Sequence, residues 1–167
     1  MARHMMIAKV RGEFAKHYIS VHFDEDNPTN SWVEASIYTE SINTRDERRD
    51  GHLRSPDFLD AASFPVMSFK STKVEHLPDG NGRITGDLTI RDVTREVVLD
   101  VEYSGLAKSP WGTVSAGFCG ITKIDRKDWG LTWNQALETG GWLVGDQISI
   151  EIEVELVKVP ETTPAAV

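Results

Sequence analysis

The sequence predicts an all-β protein whose antiparallel strands form a barrel or a sandwich. Apolar and polar side chains alternate with a period of two residues along eight segments, as in strands with one dry face and one wet face. Turn-forming residues separate the segments, and no long segment repeats its apolar residues with the period of a helix. A parallel α/β sheet is therefore disfavoured.

The four segments nearest the N-terminus alternate least regularly. They are residues 8–14, 18–23, 32–38 and 65–77. Their inward positions are predicted to be Ala8, Val10, Gly12, Phe14, Ile19, Val21, Phe23, Val33, Ala35, Ile37, Met67, Phe69 and Ser71.

The four later segments alternate more clearly. They are residues 83–92, 95–103, 114–124 and 147–158. In the last of them, one face carries Ile148, Ile150, Ile152, Val154 and Leu156, while Ser149 and three glutamates lie on the other. The same pattern places Leu88, Val97, Leu99, Ala116, Phe118 and Ile124 on inward faces.

Two stretches do not read as strands. In SPDFLDA, Ser55 is a suitable helix cap and Pro56 a suitable first helical residue, so a short helix is predicted near residues 55–61 with Phe58 as an apolar anchor. Residues 125–142 form a long, glycine-rich excursion that carries Trp129, Trp133 and Trp142. Large aromatic side chains in such a connection are expected to cover apolar surface.

Composition limits the partners and the compartment. The 167 residues are expected to form one domain over residues 1–158, followed by a flexible tail over 159–167. A net charge of −8 argues against a nucleic-acid partner, because such binding relies on a basic surface. No run approaches the roughly 20 apolar residues of a membrane span, and no signal peptide is recognisable, so a cytoplasmic location is expected.

Motifs for catalysis, metals and cofactors are not found. The single cysteine, Cys119, excludes an internal disulfide and is expected to be a small, partly buried strand residue. The five histidines show no metal-ligand spacing, and neither a nucleophile elbow nor a phosphate-binding glycine loop occurs. We therefore predict no catalytic residue, no metal and no cofactor.

The charged segment over residues 45–57 allows two interpretations. Its arginines could bind an anion and His52 could act as a general acid or base. Alternatively, the interleaved acidic and basic residues form ion pairs on a connection that covers the core. The sequence favours structural pairing.

Four motifs resemble the YceI-like family of lipocalin-like, polyisoprenoid-binding proteins. They are SINTRDERRDGHLRSPDFLDAASFPVMSFKST, GDLTIRDVTREVVLDVEY, SPWGTVSAGFCGITKIDRKDWGLTWN and VGDQISIEIEVEL, in this order and spacing. The resemblance implies an extended eight-stranded antiparallel barrel with a helical segment beside it, and no known catalytic centre. The lumen would hold a long isoprenoid or a similar amphiphile, in a protein of bacterial type.

The resemblance also implies an apolar ligand wall. We expect ligand contacts from Val10, Phe14, Val21, Phe23, Ile37, Leu53, Phe58, Phe69, Leu88, Ala116, Phe118, Trp129 and Trp133. Five small inward residues either leave room for the ligand or relieve strand crowding: Gly12, Ala35, Gly86, Ala116 and Gly120.

The N-terminus departs from the family pattern. Family members begin with a further segment, so Met1 stands where the middle of the first strand is expected, and that strand is predicted to be incomplete. Exposed strand edges invite pairing with another chain. We therefore expect a homodimer that covers Ile7, Val10 and Phe14.

Three functions follow from these observations. The first is non-catalytic binding, transport or storage of a long isoprenoid-type lipid, such as a polyprenyl chain or a quinone. The second is a hydrolase or isomerase that acts on a small amphiphile with His52 as acid or base. The third is a packed β-barrel that serves as an interaction module without a ligand.

Overall fold

The structure, a computed structural model, describes residues 1–5, 7–138 and 140–158. The α-helix α1 spans Glu47–Arg54, and short 3₁₀ turns occupy Pro28–Asn30, Thr39–Ser41 and Arg126–Trp129. The strands are β1 (Ala2–His4), β2 (Ala8–Val10), β3 (Glu13–Phe14), β4 (His17–His22), β5 (Trp32–Tyr38), β6 (Ile42–Asn43), β7 (Val66–His76), β8 (Gly82–Ile90), β9 (Val93–Lys108), β10 (Val114–Asp125) and β11 (Val144–Val157). The predicted tail over 159–167 lies outside the described residues.

Nine strands form one curled antiparallel sheet in the order β2-β1-β11-β10-β9-β8-β7-β5-β4. Short strands β3 and β6 pair separately beside it. The sheet is a half-barrel whose two edge strands are β2 and β4. The all-β antiparallel prediction is confirmed, and the eight predicted segments all contain strands.

The strand bounds differ from the prediction in two places. The segment over residues 8–14 divides into β2 and β3, because the chain leaves the large sheet and passes close to β6 at Gly12. A Cβ at Gly12 would lie 2.7 Å from Thr44 Cγ2, so glycine allows this approach. Strands β1 and β6 were not predicted, since two or three residues are too few to show a period.

The helix lies before the predicted position. Residues 55–61 were expected to be helical, but α1 ends at Arg54, and Ser55 adopts an extended conformation ahead of Pro56. Asp46 is the N-cap instead, and its side chain accepts a hydrogen bond from the Arg49 amide. The apolar pattern did not reveal this helix because ERRDGHLR contains a single apolar residue, whereas the family resemblance implied a helical segment here.

The core lies where α1 and the turns after it cover one end of the sheet, which we call the covered end. Its buried side chains come from the strands, the 55–61 turn and the 126–131 segment. They are Ile42, Phe58, Leu59, Met67, Leu88, Ile90, Val97, Ile124, Trp129 and Leu131. Phe58 is therefore a buried anchor, as expected, although it sits in a turn, and Leu59 beside it is buried too. No helix within the described part of the chain is long and apolar enough to cross a membrane.

Candidate functional site

The concave face of the sheet is packed at the covered end and open at the other. Ile19 pairs with Ala35, Ala35 pairs with Phe69, and Phe69 pairs with the buried Leu88. Because directly paired residues of neighbouring strands point to the same side of the sheet, these side chains share one face. Toward the open end, the apolar side chains on this face are only partly buried. We call this surface the trough, formed by Ile19, Val21, Phe23, Val33, Ala35, Tyr103, Phe118, Ile152, Val154 and Leu156.

Three aromatic rings line the open end of the trough. The rings of Phe23 and Phe118 meet edge to face with centroids 5.2 Å apart, and the rings of Tyr103 and Phe118 are also 5.2 Å apart. Because Phe23 follows β4 while Phe118 lies on β10, this contact reaches across the opening of the half-barrel. Aromatic pairs of this geometry stabilise a fixed apolar wall.

Gly86 and Gly120 differ in the space around them. A Cβ at Gly86 would lie 2.4 Å from Phe69 Cζ, so the Phe69 ring fills this space and Gly86 relieves crowding. Gly120 differs, because its Cβ would make ordinary contact, 3.5 Å from Leu99 Cδ2. Gly120 and Ala116 belong to the concave face of β10, opposite Ile152 and Leu156.

A groove of about 510 Å³ separates the two strands that bound the opening. His17–Val21 of β4 line one side, and Val154, Glu155 and Leu156 of β11 line the other. We call this groove the seam. Met1 exchanges hydrogen bonds with Ser149, and the later residues of β11 pair with β10.

The charged segment holds the covering structure together. The buried Asp50 carboxylate accepts hydrogen bonds from the amide and hydroxyl of Thr44, and Arg49 Nε donates to Thr44 Oγ1 at 2.7 Å. Arg54 donates to the carbonyl oxygens of Glu40 and Ile42 at 2.8 and 3.0 Å. These hydrogen bonds of charged side chains connect α1 to β6 and the residues next to it, so the charges have a structural role.

His52 has mainly apolar surroundings and one acidic partner. Its Nε2 lies 3.0 Å from Asp57 Oδ2, and its ring packs edge to face on Phe58 and Trp133 with centroids 5.1 and 4.5 Å away. This arrangement attaches α1 to the 55–61 turn and to the tryptophan excursion. Across residues 1–5, 7–138 and 140–158, no group of three or more His, Cys, Asp or Glu side chains could hold a metal ion.

The model of the YceI-like domain matches residues 1–156 of this chain. This chain belongs to the YceI-like family. A UPF0312 protein of Staphylococcus aureus strain N315 is 35% identical over 154 residues, which cover 92% of this chain and 87% of that protein. The resemblance inferred from the four sequence motifs is confirmed.

Two solved structures share the fold. The Campylobacter jejuni YceI protein has a TM-score of 0.81 and 32% identity, over 94% of this chain and 90% of that one. Burkholderia cenocepacia BcnA has a TM-score of 0.78 and 21% identity, over 92% of this chain and 91% of that one. At that identity BcnA supports the fold alone.

Arg126 is a buried structural residue that the sequence did not reveal. It is only 4% exposed and donates to the carbonyl oxygens of Gly145, Leu131 and Trp133 and to Asp146 Oδ1 at 3.1 Å. Arg126 therefore holds the tryptophan excursion next to the start of β11. The Asp125 cap and the following Gly130 were the available signals, but they indicate a turn rather than a buried charge.

Cys119 is partly buried, as expected, and lies on the convex face. It lines a shallow depression of about 350 Å³ together with Glu153 and Glu155. Desolvation, assisted by the charges of Glu151, Glu153 and Glu102, raises the pKa of its thiol above the ordinary value. The thiolate is therefore disfavoured at neutral pH, and Cys119 is a poor nucleophile.

The predicted ligand contacts fall into two groups. Eight of them belong to the packed core or lie against it: Phe14, Ile37, Leu53, Phe58, Phe69, Leu88, Trp129 and Trp133. Val21, Phe23, Ala116 and Phe118 lie on the concave face toward the open end, and Val10 lies on the edge strand β2. The structure thus brings Val21, Phe23, Ala116 and Phe118, but not Val10, to the surface around the trough.

Proposed function

We propose that the protein binds a long isoprenoid-type lipid, such as a polyprenyl chain or a quinone, in the trough and does not transform it. The observation that supports this proposal is the band of half-exposed apolar side chains along the concave face of a well-paired sheet. Ligand sites are concave and mostly apolar, and this surface has both properties. The core beneath the covered end would form the floor of the site.

The driving force would be apolar burial. Each Å² of apolar surface removed from water contributes about 25 cal/mol, so a chain that buries about 300 Å² gains about 7 kcal/mol before its ordering cost. The apolar side chains of the trough form a single row, which suits a slender chain rather than a compact polar substrate. The open trough also favours a ligand over a fully packed interaction module.

Binding of a fluorescent polyprenyl analogue to Ala116→Trp tests the proposal. Ala116 is 5% exposed and faces inward between Leu106 and Leu156, so a tryptophan there fills the neighbouring trough. We expect binding to be abolished, while overpacking lowers the free energy of unfolding by about 1–3 kcal/mol.

The matched control is Ile121→Trp, which places the same side chain on the convex face of the same strand. Its affinity for the analogue should equal that of the parent. Unchanged affinity of a folded Ala116→Trp variant would contradict binding in the trough.

Pairing of two copies, expected from the sequence, stays a proposal. Strand β2 is a free edge of the sheet, and Ile7 beside it is 84% exposed, so a second chain could add its own edge strand there. Light scattering over a dilution series should give a dimer mass that Val10→Pro reduces to the monomer. A monomer mass at high micromolar concentration would contradict the proposal.

The cytoplasmic location also stays a prediction.

A further inference from the structure

The hairpin turn between β9 and β10 leaves large apolar side chains in water. We call residues 106–114 the tip. Val93 of β9 and Ile124 of β10 belong to the core region at the covered end, so the tip lies at the opposite, open end. In the tip, Leu106 is 55% exposed and Trp111 is 89% exposed. Exposed apolar side chains grouped in this way mark a contact surface.

The turn of the tip satisfies several of its backbone amides internally. The amide of Ser109 donates to the carbonyl of Thr113 at 2.8 Å, and the amide of Gly112 donates to the carbonyl of Ser109 at 3.0 Å. The amide of Thr113 donates to Ser109 Oγ at 3.1 Å, and Pro110 has no amide hydrogen. Because these amides do not depend on water, the turn can enter a less polar medium at low cost.

The charge of the tip also suits a lipid surface. Residues 103–124 contain no aspartate or glutamate, although the chain has 26 acidic residues. The tip itself carries one charged side chain, Lys108, whose ammonium group can reach a lipid phosphate while its stem lies on apolar surface. A carboxylate in the same place would be costly to bring into a bilayer.

The acidic residues at the open end favour a neutral lipid surface over an anionic one. The connection after β4 carries Asp24, Glu25 and Asp26. Glu25 lies 3.6 Å from Lys158 Nζ, and Asp24 accepts a hydrogen bond from the Asn27 amide at 2.8 Å. Together with the net charge of −8, these carboxylates would repel anionic headgroups.

The tip extends beyond the neighbouring strand. Strand β8 pairs with β9 as far as Val101, opposite Gly82, and β9 then continues to Lys108. At about 3.4 Å for each residue, residues 102–108 carry the hairpin roughly 20 Å past the end of β8. The tip can therefore contact a flat surface while β8 stays in water.

The trough continues onto the tip. Tyr103 pairs with Phe118 and Leu106 pairs with Ala116, so these four side chains share the concave face. Leu106 therefore lies between the aromatic wall of the trough and the turn that carries Trp111. A chain that moves along this face stays on apolar surface as far as the tip.

We propose that the tip inserts into the headgroup region of a zwitterionic phospholipid bilayer, and that lipid passes between the bilayer and the trough at this contact. Trp111 suits that region because its ring is apolar and its indole N–H donates a hydrogen bond. The exchange of lipid rests on the proposed function, whereas insertion of the tip does not.

Quenching of tryptophan fluorescence tests the insertion. The protein is mixed with dioleoylphosphatidylcholine vesicles, with and without bromine on the acyl chains, because bromine quenches the tryptophan that it contacts. We expect a bromine-dependent fall in fluorescence that shrinks at least about threefold in Trp111→Phe. An equal fall in the parent and in Trp111→Phe, or no fall in the parent at millimolar lipid, would overturn the proposal.

Trp142→Phe is the matched control for quenching. Trp142 is 54% exposed, but it precedes β11, whose first residues pack against the core at the covered end. This variant should keep the bromine-dependent fall of the parent. A loss as large as that in Trp111→Phe would show adsorption without a preferred end and would contradict insertion of the tip.

Sedimentation with sucrose-loaded phosphatidylcholine vesicles measures the affinity. Trp111→Ala should bind at least about fivefold more weakly, because its ring no longer leaves water. Lys108→Glu should bind at least about threefold more weakly, whereas Lys123→Glu, nearer the covered end of β10, should differ from the parent by less than about 1.5-fold. Equal losses in the two charge variants would show that net charge controls binding and would overturn the proposal.

The transfer of a fluorescent polyprenyl analogue from vesicles to the protein tests the exchange. Trp111→Ala should slow the transfer at least about fivefold, while its affinity for the analogue added without vesicles equals that of the parent. An unchanged transfer rate would contradict exchange at the tip. A dimer that Trp111→Ala dissociates would assign the tip to a second copy and would also overturn the proposal.

The two proposals fail separately. The quenching vesicles contain no polyprenol, so loss of insertion leaves the binding assay with Ala116→Trp unaffected. If the parent did not bind the polyprenyl analogue, the proposed function would be contradicted, and quenching of Trp111 would still decide whether the tip inserts.

Discussion

Phe58→Ala is expected to lower the free energy of unfolding by about 3–5 kcal/mol, the usual cost of removing a buried phenylalanine. Phe58 is 5% exposed and belongs to the core cluster at the covered end. Its ring also contacts the rings of His52 and Trp133, at 5.1 and 5.3 Å between centroids. The substitution therefore leaves a cavity where three segments meet.

Denaturant unfolding followed by tryptophan fluorescence measures this loss. Trp111→Ala is the matched control, because Trp111 is 89% exposed and its removal should change the free energy of unfolding by less than about 0.5 kcal/mol. If Phe58→Ala unfolded at the same denaturant concentration as the parent, the 55–61 turn could not be an anchor of the core.

Arg126→Met should be comparably destabilising, by about 3–5 kcal/mol, because three backbone carbonyl oxygens lose their charged donor, at about 1–3 kcal/mol for each acceptor left without one. Arg126 donates to three carbonyl oxygens of the segment between Leu131 and Gly145 as well as to Asp146. Methionine has a similar length but no donor. The excursion that carries Trp129 and Trp133 should loosen as a consequence.

Lys127→Met provides the comparison. Lys127 Nζ lies 2.7 Å from the same carboxylate, Asp146 Oδ2, but its side chain is 48% exposed. An exposed pair contributes about 0–1 kcal/mol, so this variant should unfold almost as the parent does. Equal and small losses in both variants, measured by denaturant unfolding, would show that Arg126 does not hold the excursion.

Side-chain alternation predicted the sheet well, because burial of one face imposes a period of two. The segment over residues 32–38 is β5 with the same bounds, and the inward residues of β10 and β11 do face each other, as in Ala116 opposite Leu156. Where burial does not set the pattern, prediction failed. Helix α1 has almost no apolar face, and its Asp46 cap was not recognised in the sequence.

The candidate site was less predictable than the sheet. Alternation identifies which residues face inward but cannot tell which of them are packed by a covering turn, as Leu88 is, and which stay partly exposed, as Val154 does. The seam lies between β4 and β11, which come from opposite ends of the chain, so a local pattern does not reveal it. Arg126 was missed because its partners are backbone carbonyls, which a side-chain pattern does not show.

Photo-crosslinking with a polyprenyl analogue that carries a photoactivatable group on its chain tests the central claim most directly. After irradiation, proteolysis and mass spectrometry of the crosslinked peptides locate the chain on the protein. The account predicts crosslinks to trough residues, such as Val21, Phe118 and Val154, that excess unlabelled polyprenol suppresses. Crosslinks confined to the convex face, or crosslinks that unlabelled polyprenol does not reduce, would contradict lipid binding in the trough.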